Sequence, residues 1–190
     1  MTKNETFVSI RSATPKDAKT IAEVVAMAIG DNEILKNYCG EDFLSVLEEI
    51  AQTENTQYSY HNSLIAEVDG RVAGAVVGYN GAMLLPLRNG TFAIIEKHLG
   101  TSPNMEPETS AGEFYLDSLA VFPPFRGNGV ARSLILALSE KAFAYGYQNV
   151  GLLVDFENPN AEILYRSVGF VRKEEKIFLG HKMWHMQKKL

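Results

Sequence analysis

The segment Val121-Phe-Pro-Pro-Phe-Arg-Gly-Asn-Gly-Val-Ala131 constrains this chain more than any other stretch. The apolar run before it, Glu113 to Phe122, reads as a strand, and Pro123-Pro124 ends that strand because neither residue can donate to a sheet ladder. Beyond it Val130, Leu134, Leu138 and Ala142 recur at helical spacing, and Gly146 closes the helix. A strand therefore feeds a helix through a turn that holds Gly127 and Gly129. Glycine lets the main chain approach a ligand and adopt angles that side chains forbid. The first helical turn has free N–H groups, and its dipole favours an anion. The expected donors are the N–H groups of Gly127, Asn128, Gly129, Val130 and Ala131, with added charge from Arg126 and Arg132. The spacing, Arg-x-x-Gly-x-Ala, is neither Gly-x-Gly-x-x-Gly nor a P-loop, which argues against a dinucleotide or nucleoside triphosphate. Taken alone, a generic anion cradle and a plain tight turn both fit.

The rest of the chain supplies a mixed set of elements. Phe7 to Arg11 alternates as a strand does. Thr14 can cap a helix with Pro15 in first position, and Ala18, Ile21, Ala22, Val25 and Ile29 give it an apolar stripe up to Gly30. A second helix fits Asp42 to Ala51. Ser63 to Val68 and Val72 to Tyr79 flank Asp69-Gly70, a hairpin signal. Residues 81–112 read as an insertion: Leu84 to Leu99 has helical periodicity broken by Pro86 and Gly90, and Gly100 to Gly112 reads as a mobile loop. Asn149 to Asp155 is a buried strand, Asn160 to Val168 a short helix, and Phe170 to Phe178 with Lys182 to Lys189 a closing antiparallel pair. The order βααββ, insertion, βαβαββ implies one domain with an α/β or α+β sheet.

Composition narrows the function classes. A net charge of −5 argues against nucleic acid and tolerates a cationic substrate such as an amine. No apolar run is long enough to span a membrane, and Met1 to Thr6 has no signal core, so a cytoplasmic protein is expected. The single cysteine, Cys39, reads as a small hydrophobe rather than a catalytic thiol. His61, His181 and His185 have no metal-ligand spacing with Cys39 or each other, so no metal is expected.

A second segment gives the cradle its meaning. Asn158-Pro-Asn160-Ala161-Glu-Ile-Leu164-Tyr165-Arg-Ser-Val-Gly169-Phe170 follows the buried strand. With both segments in order, the chain resembles the GNAT superfamily of N-acetyltransferases. That family's acyl-CoA signature is Arg/Gln-x-x-Gly-x-Gly/Ala after the fourth strand, then Asn-x-x-Ala-x-x-Leu-Tyr-x-x-x-Gly-Phe. The likeness covers roughly residues 113–175. It implies a mixed, mostly antiparallel central sheet flanked by helices and split between strands 4 and 5. It implies acetyl-CoA as acyl donor, with pantetheine bonded in the split by the main chain of Leu119, Ala120 and Val121. Asn158 then contacts the cofactor or caps its helix, and Phe156, Ala161 and Tyr165 line the CoA tunnel. The acetyl group passes directly to a primary amine of a small molecule or peptide, without a covalent enzyme intermediate. A homodimer through the last strand is also implied.

Direct transfer needs an acid and a base. By the resemblance, Tyr165 is the acid for the departing thiolate, and Glu113 matches the glutamate base of one branch. Strand alternation puts Glu113, Tyr115 and Asp117 on one face. Tyr79 and His98 are further acceptor-side candidates. Two other readings stay open at this level: a non-catalytic acyl-CoA-binding module, and a nucleotide-binding protein using the same turn.

Overall fold

The alternation near the amino terminus folds as β1 (Val8–Ser12) in a computed structural model that describes residues 7–190. Met1 to Thr6, read above for a signal core, lie outside the described residues. Pro15–Asp17 forms a tight 3-10 turn ahead of α1 (Ala18–Ile29), so the α-helix starts three residues after Pro15. The Asp17 carboxylate closes that turn, accepting the Thr14 N–H at 2.8 Å and the Thr14 hydroxyl at 2.9 Å. The Arg11 guanidinium grips Asp17 and holds its carboxyl down to about 2.

The α2 helix (Asn32–Cys39) has no counterpart in the sequence reading. Its signal is local: Asp31 accepts the N–H groups of Glu33 and Ile34, and Leu35, Tyr38 and Cys39 form the buried stripe behind that cap. The α3 helix (Phe43–Gln52) follows. The hairpin of β2 (Ser63–Val68) and β3 (Arg71–Asn80) turns on Asp69 and Gly70, whose φ values of 50° and 74° are the pair that a tight two-residue turn demands.

Residues 84–99 correct the expectation of a broken helix. They form one continuous helix, α4 (Leu84–Leu99). Pro86 sits in the first turn, where its missing N–H would have had no partner. Gly90 lies against the Asn55 carbonyl, where a Cβ would not fit. The glycine is therefore a close-approach residue and not a helix breaker.

The carboxy-terminal half runs β4 (Phe114–Val121), α5 (Val130–Ala144), β5 (Asn149–Asp155), α6 (Pro159–Ser167), β6 (Val171–Phe178) and β7 (His181–Lys189). The strands form one sheet in the order β1-β2-β3-β4-β5-β7-β6. Every neighbouring pair is antiparallel except β4 and β5. That parallel pair is joined only at Phe114–Val150 and Tyr115–Gly151. From Leu116 onward β4 has no partner on its β5 side, which is the split expected of the fold.

Two cores hold the sheet from opposite faces. On one, Leu134, Ile135 and Leu138 of α5 pack on Leu64, Val76, Leu116 and Leu152. On the other, Ile21 and Val25 of α1 and Leu47 and Ile50 of α3 pack on Ile65, Ala75 and Val77. Each such side chain contributes about 1.5–3 kcal/mol when fully buried. Both flanks are therefore firmly anchored, and the divergence of β4 from β5 opens between them. Among the described residues, no helix is long and apolar enough to cross a membrane.

Candidate active site

The turn after β4 has the form its sequence demands. Gly127 and Gly129 have φ of 79° and 77°, in the left-handed region, and a Cβ at either would point into open space. The constraint is thus conformational, not steric crowding. Ser133 makes the first main-chain bond of α5, its N–H donating to Gly129 O at 3.0 Å. Among the described residues, the N–H groups from Gly127 to Arg132 have no acceptor within the protein. They form a run of unpaired donors at a helix start. Their own side chains add less than expected. Arg126 folds back, its Nε donating to Val121 O at 3.0 Å, and Arg132 reaches Ser167 O at the end of α6 at 3.2 Å.

A cleft of about 860 Å³ fills the space where β4 and β5 separate. Leu119 lines it from β4, Val154 from β5, and Asn158, Ala161 and Tyr165 from α6. The order of local causes is short. Asn158 Oδ1 accepts the Ala161 N–H at 3.2 Å and starts α6. Two turns later the helix delivers Tyr165 to the cleft, where its ring meets Phe170 edge-on at 5.8 Å. Burial pushes the Tyr165 phenol up to about 12, so it keeps its proton at neutral pH. Ala120 and Val121 pair with Ala75 and Gly74 of β3 on one edge and leave the other edge free. Phe156 does not line the cleft; it stacks on Trp184 with centroids 4.5 Å apart.

The opposite wall is a polar network. Tyr79 donates to Asp117 Oδ2 at 2.6 Å, and Ser118 donates to Asp117 Oδ1 at 2.9 Å. The Gln57 amide donates to the Tyr79 oxygen at 3.2 Å and to Glu108 Oε1 at 3.1 Å. Arg88, on α4, pairs with Glu108 and donates to Met105 O at 3.0 Å. Burial raises the Asp117 carboxyl above the ordinary aspartate range, against the pull of the bonds from Tyr79 and Ser118. Asp31, Glu108, Asp117, Asp155 and Glu157 all line the cleft, and no lysine or arginine among the described residues does. The cleft is therefore suited to a cation or a hydrogen-bond donor.

Glu113, Tyr115 and Asp117 share a face as alternation requires, but they do different things. Tyr115 and Asp117 line the cleft, and Glu113 does not. Glu113 sits at the joined end of β4 and β5, over Gly151, where any Cβ would collide with its carboxylate. It accepts from Thr109 Oγ1 at 2.7 Å and Gln187 Nε2 at 2.7 Å, and it lies 2.9 Å from His185 Nε2. Burial raises its pKa, but these three bonds outweigh burial and hold it below the usual glutamate range. That direction disfavours proton uptake. His98 lies away from the cleft, 2.7 Å from Glu49. Cys39 is buried, its thiol pushed up to about 12, and so inert. Among the described residues no three metal-ligating side chains cluster.

The sequence reading missed Gln57, Tyr58, Arg88 and Glu108. Gln57 and Tyr58 belong to a polar stretch between α3 and β2 that resembles any surface loop by composition, yet both are buried. Arg88 and Glu108 lie in the insertion, and their pairing and burial have no local sequence signal.

Comparison with known proteins agrees with this arrangement. The model of the acetyltransferase (GNAT) family matches residues 32–170. A solved acetyltransferase structure is 35% identical, covers 95% of this chain and 98% of its own, and superposes with a TM-score of 0.80. An N-acetyltransferase from Staphylococcus aureus Mu50 is 27% identical over 94% of this chain and 99% of its own, with a TM-score of 0.83. The curated acetyltransferase SG1711 of Sodalis glossinidius (strain morsitans) is 26% identical over 121 residues. That match spans 63% of this chain and 64% of the relative's length. With its motif glycines, its split sheet and a family match across most of its length, the chain belongs to the GNAT family of acetyltransferases.

Proposed function

We propose that this protein moves an acetyl group from acetyl-CoA to a primary amine of a small molecule. The observation that carries the proposal is the single cleft in which Leu119, Asn158 and Tyr165 face the acidic wall of Asp117 and Glu108. Its volume, about 860 Å³, suits a small acceptor beside the end of the cofactor.

The free N–H groups of Gly127 to Ala131 fit a pyrophosphate without the help of Arg126 or Arg132. The unpaired edge of β4 at Leu119 to Val121 fits an extended pantetheine arm, which would bond there as an added strand. Ala161 leaves room beside that arm, and the Asn158 amide has an N–H pair to spare after capping α6. Bound acetyl-CoA supplies a thioester whose carbonyl carbon can accept an amine nitrogen. Asp117, with its raised affinity for protons, takes the proton that the amine must lose. Tyr165, still protonated, donates to the departing sulfur and leaves CoA as a thiol. Glu113 has no part in this scheme, because its oxygens are engaged at the joined end of the sheet. Pro103, Asn104 and Met105 cover the cleft from the 81–112 segment, which favours a compact acceptor over a long peptide.

The test is a CoA-release assay across small amines and peptides, with acetyl-CoA affinity measured by calorimetry. Release with small amines supports the proposal. Tight binding without release on any acceptor overturns it in favour of a binding module.

A further inference from the structure

Two hairpins of the sheet turn in the same way. Between β2 and β3 the turn is Asp69-Gly70, with φ of 50° and 74°. Between β6 and β7 it is Leu179-Gly180, with φ of 49° and 80°. The left-handed first position of such a turn favours Asn, Asp or Gly, and a leucine is strained there. Asp69 follows that preference and is exposed. Leu179 departs from it and is 45% exposed, so neither turn geometry nor core burial accounts for a leucine. Backbone strain of this kind is concentrated at functional sites.

What Leu179 borders is the cleft. It lines the cavity with Phe178 and Met183 of the same hairpin, and Met27 of α1 and Ile34 of α2 line it too. Those four companions are each half-buried. Two carboxylates of this region are engaged within the protein. Asp155 accepts the Glu157 N–H at 2.8 Å and lies 2.9 Å from His181 Nδ1, and Asp31 Oδ1 accepts the Glu33 N–H at 2.8 Å. The hairpin therefore offers the cleft an apolar surface. In the sheet order β5 and β7 stand between β4 and β6, so Leu179 and Asp117 border different parts of the cavity.

An acceptor has a reactive nitrogen and a body that carries it. On the proposed reading, on which this inference rests, the nitrogen meets the thioester beside Asp117. We propose that the body lies against Leu179 and its apolar companions, so that the enzyme selects monoamines with a hydrocarbon body, alkyl or aryl, over very short or polycationic amines. Leu179 is then a specificity-determining residue, held in a turn position that asparagine or aspartate would fill with less strain. Each methylene of the acceptor that leaves water against this surface adds to binding. A second ammonium group placed there would lose water without gaining a partner.

The test uses the full chain with acetyl-CoA and the straight-chain amines from ethylamine to hexylamine, with 1,4-diaminobutane beside butylamine. In the wild type kcat/KM should rise about threefold per added methylene. Butylamine should exceed 1,4-diaminobutane by about 10-fold or more. Leu179→Asn, which suits the turn, should cut the rise to less than about twofold per methylene and unfold at the same temperature or higher. Its acetyl-CoA affinity by calorimetry should stay within about twofold of the wild type. Leu179→Met, apolar and equally strained, should keep the rise. A flat series in the wild type, a preference for the diamine, or an unchanged rise in Leu179→Asn overturns this inference while amine acetylation stands. A lower unfolding temperature for Leu179→Asn makes the leucine a packing residue and overturns it too. Acetyl-CoA binding without turnover of any amine overturns both this inference and the proposed function.

Discussion

The two walls of the cleft are built on opposite plans. The proposed cofactor side is mostly main chain: the free edge of β4 and, beyond the cleft lining, the N–H groups of Gly127 to Ala131. The proposed acceptor side is side chains throughout: Gln57, Glu108 and Asp117 on the lining with Tyr79 and Arg88 behind them, joined by hydrogen bonds across sequence separations of up to 51 residues. A main-chain site asks only for a conformation, which a few contiguous residues dictate. A side-chain site asks for distant segments to meet, and any of them can change without disturbing the fold. The plan of the first wall suits a ligand common to a family, and that of the second suits a ligand that varies.

Four substitutions sharpen or break this contrast. The largest effect is expected at Gly129, where φ is 77°. Gly129→Asp imposes a left-handed aspartate and sets a carboxylate against the bound anion, together about 3 kcal/mol. Acetyl-CoA affinity should fall about 100-fold or more by calorimetry; wild-type affinity would remove the main-chain cradle. Next is Tyr165→Phe, which should lower kcat about 100-fold with the acetyl-CoA Kd nearly unchanged, as for loss of a general acid. Unaltered kcat would leave Tyr165 a packing residue. Asp117→Asn should reduce kcat about 10- to 100-fold, again sparing cofactor binding, and the two walls would cease to be separable if both constants moved together.

The smallest catalytic effect is expected at Glu113. Glu113→Gln should change kcat by less than about threefold but lower stability by about 2–3 kcal/mol in denaturant titrations, because it weakens a buried bonded charge. The sign of the pH effect follows. The folded state holds Glu113 below the ordinary range, so its contribution is full above the unfolded value, about 4.3, and is lost as pH falls through the folded one. The variant should therefore lose less stability than the wild type on acidification below about pH 4. A large drop in kcat instead would return Glu113 to the base role.

The same contrast explains what the sequence disclosed. Gly127, Gly129, Asn158 and Tyr165 lie in two contiguous runs, and the resemblance of those runs to the GNAT signature pointed to a cofactor side. The strands and the α5 helix were legible through apolar periodicity, down to the Asp69-Gly70 turn. Gly90 misled because a glycine chosen for close approach to Asn55 looks the same in sequence as one that ends a helix. Asp31 and the short α2 went unread because eight residues hold little more than two turns of pattern. Glu113 was singled out as a candidate base, but its hydrogen-bond partners were not legible: Gln187 and His185 lie more than 70 residues away, and no local pattern encodes that meeting.

The joined end of β4 and β5 has a mechanical meaning. Two residue pairs alone cannot fix the angle between two half-sheets. Glu113 reaches from the start of β4 across Gly151 to β7, and Thr109 binds the same carboxylate from the segment that covers the cleft. It acts as a clasp at the apex of a wedge, and the gape at the far end is set from outside the cleft lining. A side chain at Gly151 would pry the clasp open, so the width of the cleft is tied to a glycine that does not line it.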